Sequence, residues 1–425
     1  MTESVFARGG GAPTGADNSR VSLYSERFAA APHDAYRSMR EVYGSLVPVW
    51  LAPGVPATLV VGWRAAVRIL NDPAHFPADP ARWESTARTD SPVFEVLRGR
   101  RNALRCAGAE HARYRATIKS ALDETDRFKV ESTVDRIAED LVNGFCADGS
   151  ADLRAQFAFP LTVRVMCELL GLTPDRAHQV WAEMAAMMDG VPEAGARFGA
   201  ALYEVVTSKR AAPSADMMSR LITHEQKLDD IEVVEQTALL LGPGTEPTCN
   251  LIINAVLLSM TDDRFAGGLH GGSLATRDAI DEVLFADTPL PNFCITYPRQ
   301  PQLIDEVWLP ADQPVVISMA ACNTDPTMAP ARGPDEVGRW GNRSHLSWGA
   351  GPHACPAQDI AGIIVHRAID QLFDALPDLR LADGESPRWR PGPFHRAVES
   401  LPVVFPPGPP THPVSRQPIP EEVHP

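Results

Sequence analysis

Apolar and polar positions change rhythm several times along the chain. In VPVWLAPGVPATLVVGW, residues 47–63, two short apolar runs flank a Pro-Gly pair and predict a β-hairpin. Residues 77–109 mix Pro, Arg, Asp and Gly without a sustained period, which predicts a long, partly ordered loop. From 110 to 188 the spacing is mostly helical, with breaks at ADGSAD, Pro160 and GLTPD. Thr173 followed by Pro174 marks a helix start, with the threonine as cap and proline in the first turn.

The longest apolar run is TALLLGPGTEPTCNLIINAVLLSM, residues 237–260. Glu246 and two prolines near its middle predict a buried core helix with a break, not a membrane span. TRDAIDEVLFAD predicts a short amphipathic helix, and PQLIDEVWLPADQPVVISMAACN alternates and turns as strands do. QDIAGIIVHRAIDQLFDALPDL predicts a final helix, with Ile360, Ile363, Ile364, Ala368, Leu372 and Leu376 at helical spacing. Residues 1–20 lack an apolar stretch and predict a disordered leader; the proline-rich residues 406–425 predict a disordered tail. Between them lies one domain, residues 21–405, mainly α with a small β region.

Composition narrows the function classes. The 425 residues are 44% hydrophobic, enough for a large core, and carry a formal charge of −15. No long run of Lys and Arg is present, which argues against nucleic acid or an anionic membrane surface as the main partner. Seven dispersed cysteines without a CxxC pair read as reduced thiols of a cytoplasmic protein.

One cysteine is placed unusually. Cys355 sits between HLSWGAGPHA and the start of the final helix, where the dipole and unpaired N–H groups favour a thiolate. Gly349 and Gly351 permit tight turns close to something bulky. A lone soft thiolate does not suit tetrahedral zinc, which takes several ligands. It suits haem iron, which takes one axial ligand from the protein. The plainer alternative is a small buried hydrophobe.

WGAGPHAC resembles the haem-thiolate signature of the cytochrome P450 family: aromatic, Gly, x, Gly, x, His, x, Cys. Trp348 stands where the family usually has Phe, and Ala357 where it usually has Gly. The resemblance runs in order over residues 22–405. In EHARYR, His111 and Arg115 match the helical pair that binds haem propionates, and their spacing puts both on one helix face. Taken alone, that spacing fits a solvated charged face better. Arg299 in YPRQP matches a third propionate partner and His353 a fourth, while NTDP and LFDALPDLRL match late landmarks.

The resemblance implies haem b (iron protoporphyrin IX) between two long helices, with Cys355 as axial metal ligand and Gly244, Trp348 and Gly349 beside the cofactor. It also implies monooxygenation of a small organic, secondary-metabolite-like substrate, with electrons from a ferredoxin and ferredoxin reductase. Specificity is expected from residues 77–109, 180–206 and 291–296.

Two positions depart from the family. Its distal helix carries Ala-Gly-x-acid-Thr, whereas this chain reads Pro243, Gly244, Thr245, Glu246, Pro247. Proline supplies a kink but no hydroxyl for proton relay. Glu246 is then the acid, with Thr248 as substitute hydroxyl if the kink turns it inward; otherwise Glu246 is a satisfied buried carboxylate. The family's Glu-x-x-Arg is Glu282 to Phe285 here, with Arg339 as a candidate partner for Glu282. These departures keep open an alternative: a haem-binding protein that senses a ligand or binds a partner without monooxygenation.

Overall fold

The structure is a computed structural model that describes residues 20–188, 191–266, 276–328, 343–382, 384 and 387–411. The expected hairpin forms as strands Leu46–Ala52 and Val55–Val60, paired antiparallel around Gly54 in a left-handed conformation. It is the centre of a five-stranded sheet. Val21–Ser22 adds in parallel on one side, and Val315–Ser318 in parallel on the other, with Asn292–Thr296 antiparallel at the far edge. Parallel pairing needs long connections, and here most of the helical body is inserted between Val55–Val60 and Val315–Ser318, with the final helix Gln358–Ala375 following.

That body is built on Arg127–Phe145, Phe159–Leu169, Asp230–Thr261 and Gln358–Ala375, whose apolar stripes meet in one core. Val134, Leu161, Val165, Ile252, Val256, Val365 and Leu372 are fully or almost fully buried in it. The helix expected after Thr173 spans Pro174–Met188, with Ala177 N–H on the Thr173 carbonyl at 2.8 Å.

The apolar run forms the middle of one 32-residue helix, Asp230–Thr261, with no break at Pro243 or Pro247. Each proline leaves the carbonyl four residues earlier without its helical donor, yet apolar packing on several sides carries the helix through. Its start is a capping box. Asp229 accepts from Glu232 N–H at 2.8 Å, and the Glu232 carboxylate accepts from Asp229 N–H at 2.9 Å. Glu232 also takes both ends of the Arg113 guanidinium, at 2.6 and 2.7 Å, and Tyr114 Oη at 3.0 Å. The Arg113 bonds hold its carboxyl at about 2, against an ordinary 4.5, although burial opposes them.

This arrangement gives a signed prediction. Glu232→Gln keeps one accepting oxygen, turns the other into a donor facing donors and removes the charge, and is expected to cost about 1–3 kcal/mol at neutral pH. A depressed carboxyl stabilises the fold above its unfolded pKa, near 4.5, and that contribution is lost as pH falls towards 2. Urea unfolding of wild type and variant should therefore converge in acid. A constant gap across that range would remove the charge from the account.

Two sequence expectations change. Residues 77–109 are not loosely held: Trp83, Val93 and Leu97 are buried against the sheet, and short helices form at Ala81–Glu84 and Phe94–Leu97. Tyr297 Oη donates to the Leu97 carbonyl at 2.9 Å. Gln236 of the long helix donates to Arg101 O and accepts from Ala103 N–H. Aromatic and leucine side chains scattered without period supply this burial, which no local pattern announces. The unpacked tail also begins later than 406, because Gly408 N–H bonds Cys146 O at 2.9 Å and Thr411 bonds Asn143 and Glu139. The leader at 1–20 lies outside the described residues except for Arg20, which donates to Ala57 O at 3.2 Å.

Candidate functional site

Cys355 closes a loop whose shape comes from backbone bonds. Its N–H donates to Trp348 O at 2.7 Å, Gly349 N–H to Leu346 O at 2.7 Å, and Ala354 N–H to Gly351 O at 3.1 Å. Gly349 and Gly351 are left-handed, at φ 70° and 68°. A side chain at Gly351 would strike the Leu70 carbonyl at 2.1 Å; one at Gly349 would meet Cys294 Sγ at 3.3 Å. Both glycines are therefore favoured by backbone conformation, and Gly351 is also required by close approach.

Upstream, buried Asn323 holds the loop in place. Its side chain accepts from Leu346 N–H at 2.7 Å and donates to Ser347 Oγ and Leu284 O, while Ser347 Oγ donates to Leu284 O. Sequence reading marked NTDP only as a landmark; its mechanical role emerges from these bonds. Phe285 stands beside them, buried and edge-on to His345 at 5.1 Å. Glu282 lies 3.9 Å from the Arg264 guanidinium. Its expected partner Arg339 is outside the described residues.

The helix Gly108–Asp123 brings His111 and Arg115 to this loop. Arg115 Nη2 donates to the carbonyl of Ala354, the residue before Cys355. The rings of His111 and His353 lie face to face, centroids 3.9 Å apart at 33°. His111 Nε2 is buried without a hydrogen-bond partner. Burial, then the charges of His111 and Arg115, push His353 down to about 4. Arg105, a residue sequence reading passed over, is buried close enough to add to that push.

Among the described residues, no carboxylate pairs with His111, Arg115, His353 or Arg105. Buried cations and donors without an anion are costly, so these residues fit a cofactor that brings its own carboxylates. Burial raises the Cys355 thiol, while the Ala357 N–H and Arg115 pull it down; the net shift is upward. The final helix begins only at Gln358, and desolvation outweighs the nearby dipoles.

Three expected site residues have other partners in this structure. Arg299 is 55% exposed and ion-paired with Asp79 at 2.8 Å, with no bond to the group around Cys355. The space beside Gly244 is taken by Met166 of Phe159–Leu169, whose Cε would lie 2.9 Å from an added Cβ. That glycine serves the crossing of two helices. Thr248 is buried in the same unbroken helix, two residues beyond Glu246, so about 200° separates the two side chains. No hydrogen bond joins Thr248 to Glu246. Trp348 packs on the helical core, and its carbonyl holds Cys355.

Glu246 has a different partner. Arg390 Nη2, from the segment before the last strand, donates to Glu246 Oε1. Burial works to raise the Glu246 carboxyl, but Arg390, with His395 and Arg154 beyond, holds it below its ordinary value. His395 Nε2, Arg390 Nε and Arg154 Nε are all buried without partners. Nothing in the sequence links position 390 to 246; a lone arginine in a coil segment carries no periodic signal.

No protein-family model matches the chain. Among curated proteins it is 28% identical over 396 residues to cytochrome P450 monooxygenase PikC of Streptomyces venezuelae, covering 90% of this chain and 93% of that one. It is 28% identical over 372 residues to mycinamicin IV hydroxylase/epoxidase of Micromonospora griseorubida, covering 83% and 90%. Among solved structures, CYP154C4 of Streptomyces sp. ATCC 11861 superposes with a TM-score of 0.81 at 24% identity. That match covers 91% of this chain and 98% of the other.

Proposed function

Because the chain belongs to the cytochrome P450 family, we propose that it is a haem-thiolate monooxygenase acting on a small organic substrate of the secondary-metabolite type. The proposal includes haem b, electrons from a ferredoxin and its reductase, and a cytoplasmic location. The observation that carries it is the group around Cys355: His111, Arg115 and His353 converge on one loop and lack any anion among the described residues. No helix among those residues is long and apolar enough to cross a membrane, and none of the seven cysteines is in a disulfide.

In this reading Cys355 would bind the iron, while His111, Arg115 and His353 would hold the carboxylates of the porphyrin. Bound there, haem would supply the redox chemistry of oxygen activation. The chain supplies geometry and protons. Arg115 fixes Ala354, so the sulfur is oriented by a residue on another helix. Glu246 is kept ionised by Arg390 on Oε1, leaving Oε2 to take up and pass on a proton. Pro247 offers no hydroxyl beside it, so a water or a substrate hydroxyl must complete the relay.

The second reading, haem binding without monooxygenation, is favoured by Pro247 together with the Glu246–Arg390 pair. Pro247→Thr separates the two. A functional relay should send more reductant into product and less into peroxide than wild type does, measured with ferredoxin and a turned-over substrate. Substrate-dependent spectral shifts in wild type and variant without any product would support the second reading. The primary test is the reduced, carbon-monoxide-minus-reduced spectrum, followed by turnover.

A further inference from the structure

We infer that Arg105, and not Arg299, is the further cation that joins Arg115 at the carboxylate edge of the cofactor; the inference rests on the haem-binding reading above. Arg105 is 4% exposed, in the stretch between the short helices and Gly108–Asp123. Its Nε and Nη2 donate only to the Val96 carbonyl, at 3.1 and 2.7 Å. The guanidinium stacks on Phe293, 5.6 Å from the ring centroid, on the strand Asn292–Thr296. Nη1 has no hydrogen bond among the described residues.

A guanidinium does not shed its proton in a protein. Buried with one carbonyl and a ring for company, Arg105 is a stranded charge unless an anion arrives from outside the chain. Phe293 precedes Cys294, whose Sγ lies 3.3 Å from a Cβ placed on Gly349 of the Cys355 loop, and His111 stacks on His353 of that loop. Arg105, His111 and His353, with Arg115, share the same lack. Two carboxylates on one bound molecule would satisfy the set. Arg299 has no such need, because it is exposed and already has Asp79.

The test uses full-length protein reconstituted with haem and, separately, with haem dimethyl ester, which has no free carboxylates. The readout is the rate of porphyrin transfer to apomyoglobin. Arg105→Leu is expected to release ordinary haem about 10- to 100-fold faster, the range for a lost charge-assisted hydrogen bond. It should release the ester at the wild-type rate. Arg105→Lys should restore part of the retention, and Arg299→Leu should change neither rate. Equal acceleration of both porphyrins by Arg105→Leu would overturn the inference, since a residue serving only the Val96 turn would act on both alike. So would an unchanged haem rate. Wild-type protein that takes up neither porphyrin would overturn the inference and the haem-binding reading together.

Discussion

Protein carrying Cys355→Ala is expected to lose completely the red-shifted Soret band of the reduced carbon-monoxide complex, while remaining folded and retaining haem. The loop bonds that shape the site run through backbone atoms of Trp348, Leu346, Gly351 and Ala354 and through Arg115; none uses the Cys355 sulfur. Removing Sγ therefore leaves both the loop and the cationic group in place. The shifted band depends on thiolate ligation, so a variant that kept it would exclude Cys355 as the ligand. A variant that failed to fold, with loss of the wild-type melting transition, would assign Cys355 a packing role.

Arg390→Leu is expected to lower stability by about 3 kcal/mol at neutral pH. Removing one partner of a buried ion pair strands the other, at a cost of about 3–5 kcal/mol, and the partial exposure of this pair puts it at the lower end. The pH dependence has a sign. In wild type the Glu246 carboxyl is depressed below 4.5, so its stabilisation is fully present above that pH and is lost as pH falls through the lowered value. In the variant burial acts with less opposition, so Glu246 protonates at higher pH and the gap from wild type closes in acid. Urea midpoints across this range measure it directly. Equal midpoints at neutral pH would mean the pair is energetically idle. If Glu246 moves protons in turnover, the acid limb of the rate profile should shift upward in the same variant.

Much of the secondary structure was legible because its signals are local. The hairpin around Gly54, the start at Thr173 and Pro174, and the final helix each follow from a few neighbouring residues. The glycines before Cys355 were legible for the same reason: their left-handed backbone is a property of the turn itself. Pro243 and Pro247 misled, since a local rule for helix breaking met a core able to hold the helix through both.

The sequence by itself determined the class of fold, the loop that presents Cys355 and the helix face shared by His111 and Arg115, because period and turn chemistry act over one or two helical turns. Only the tertiary structure decided that Arg105 is buried and Arg299 exposed, and that Glu246 answers to Arg390 while Thr248 lies across the helix. Arginines are alike in sequence; which of them is stranded without an anion depends on what the rest of the chain packs around it.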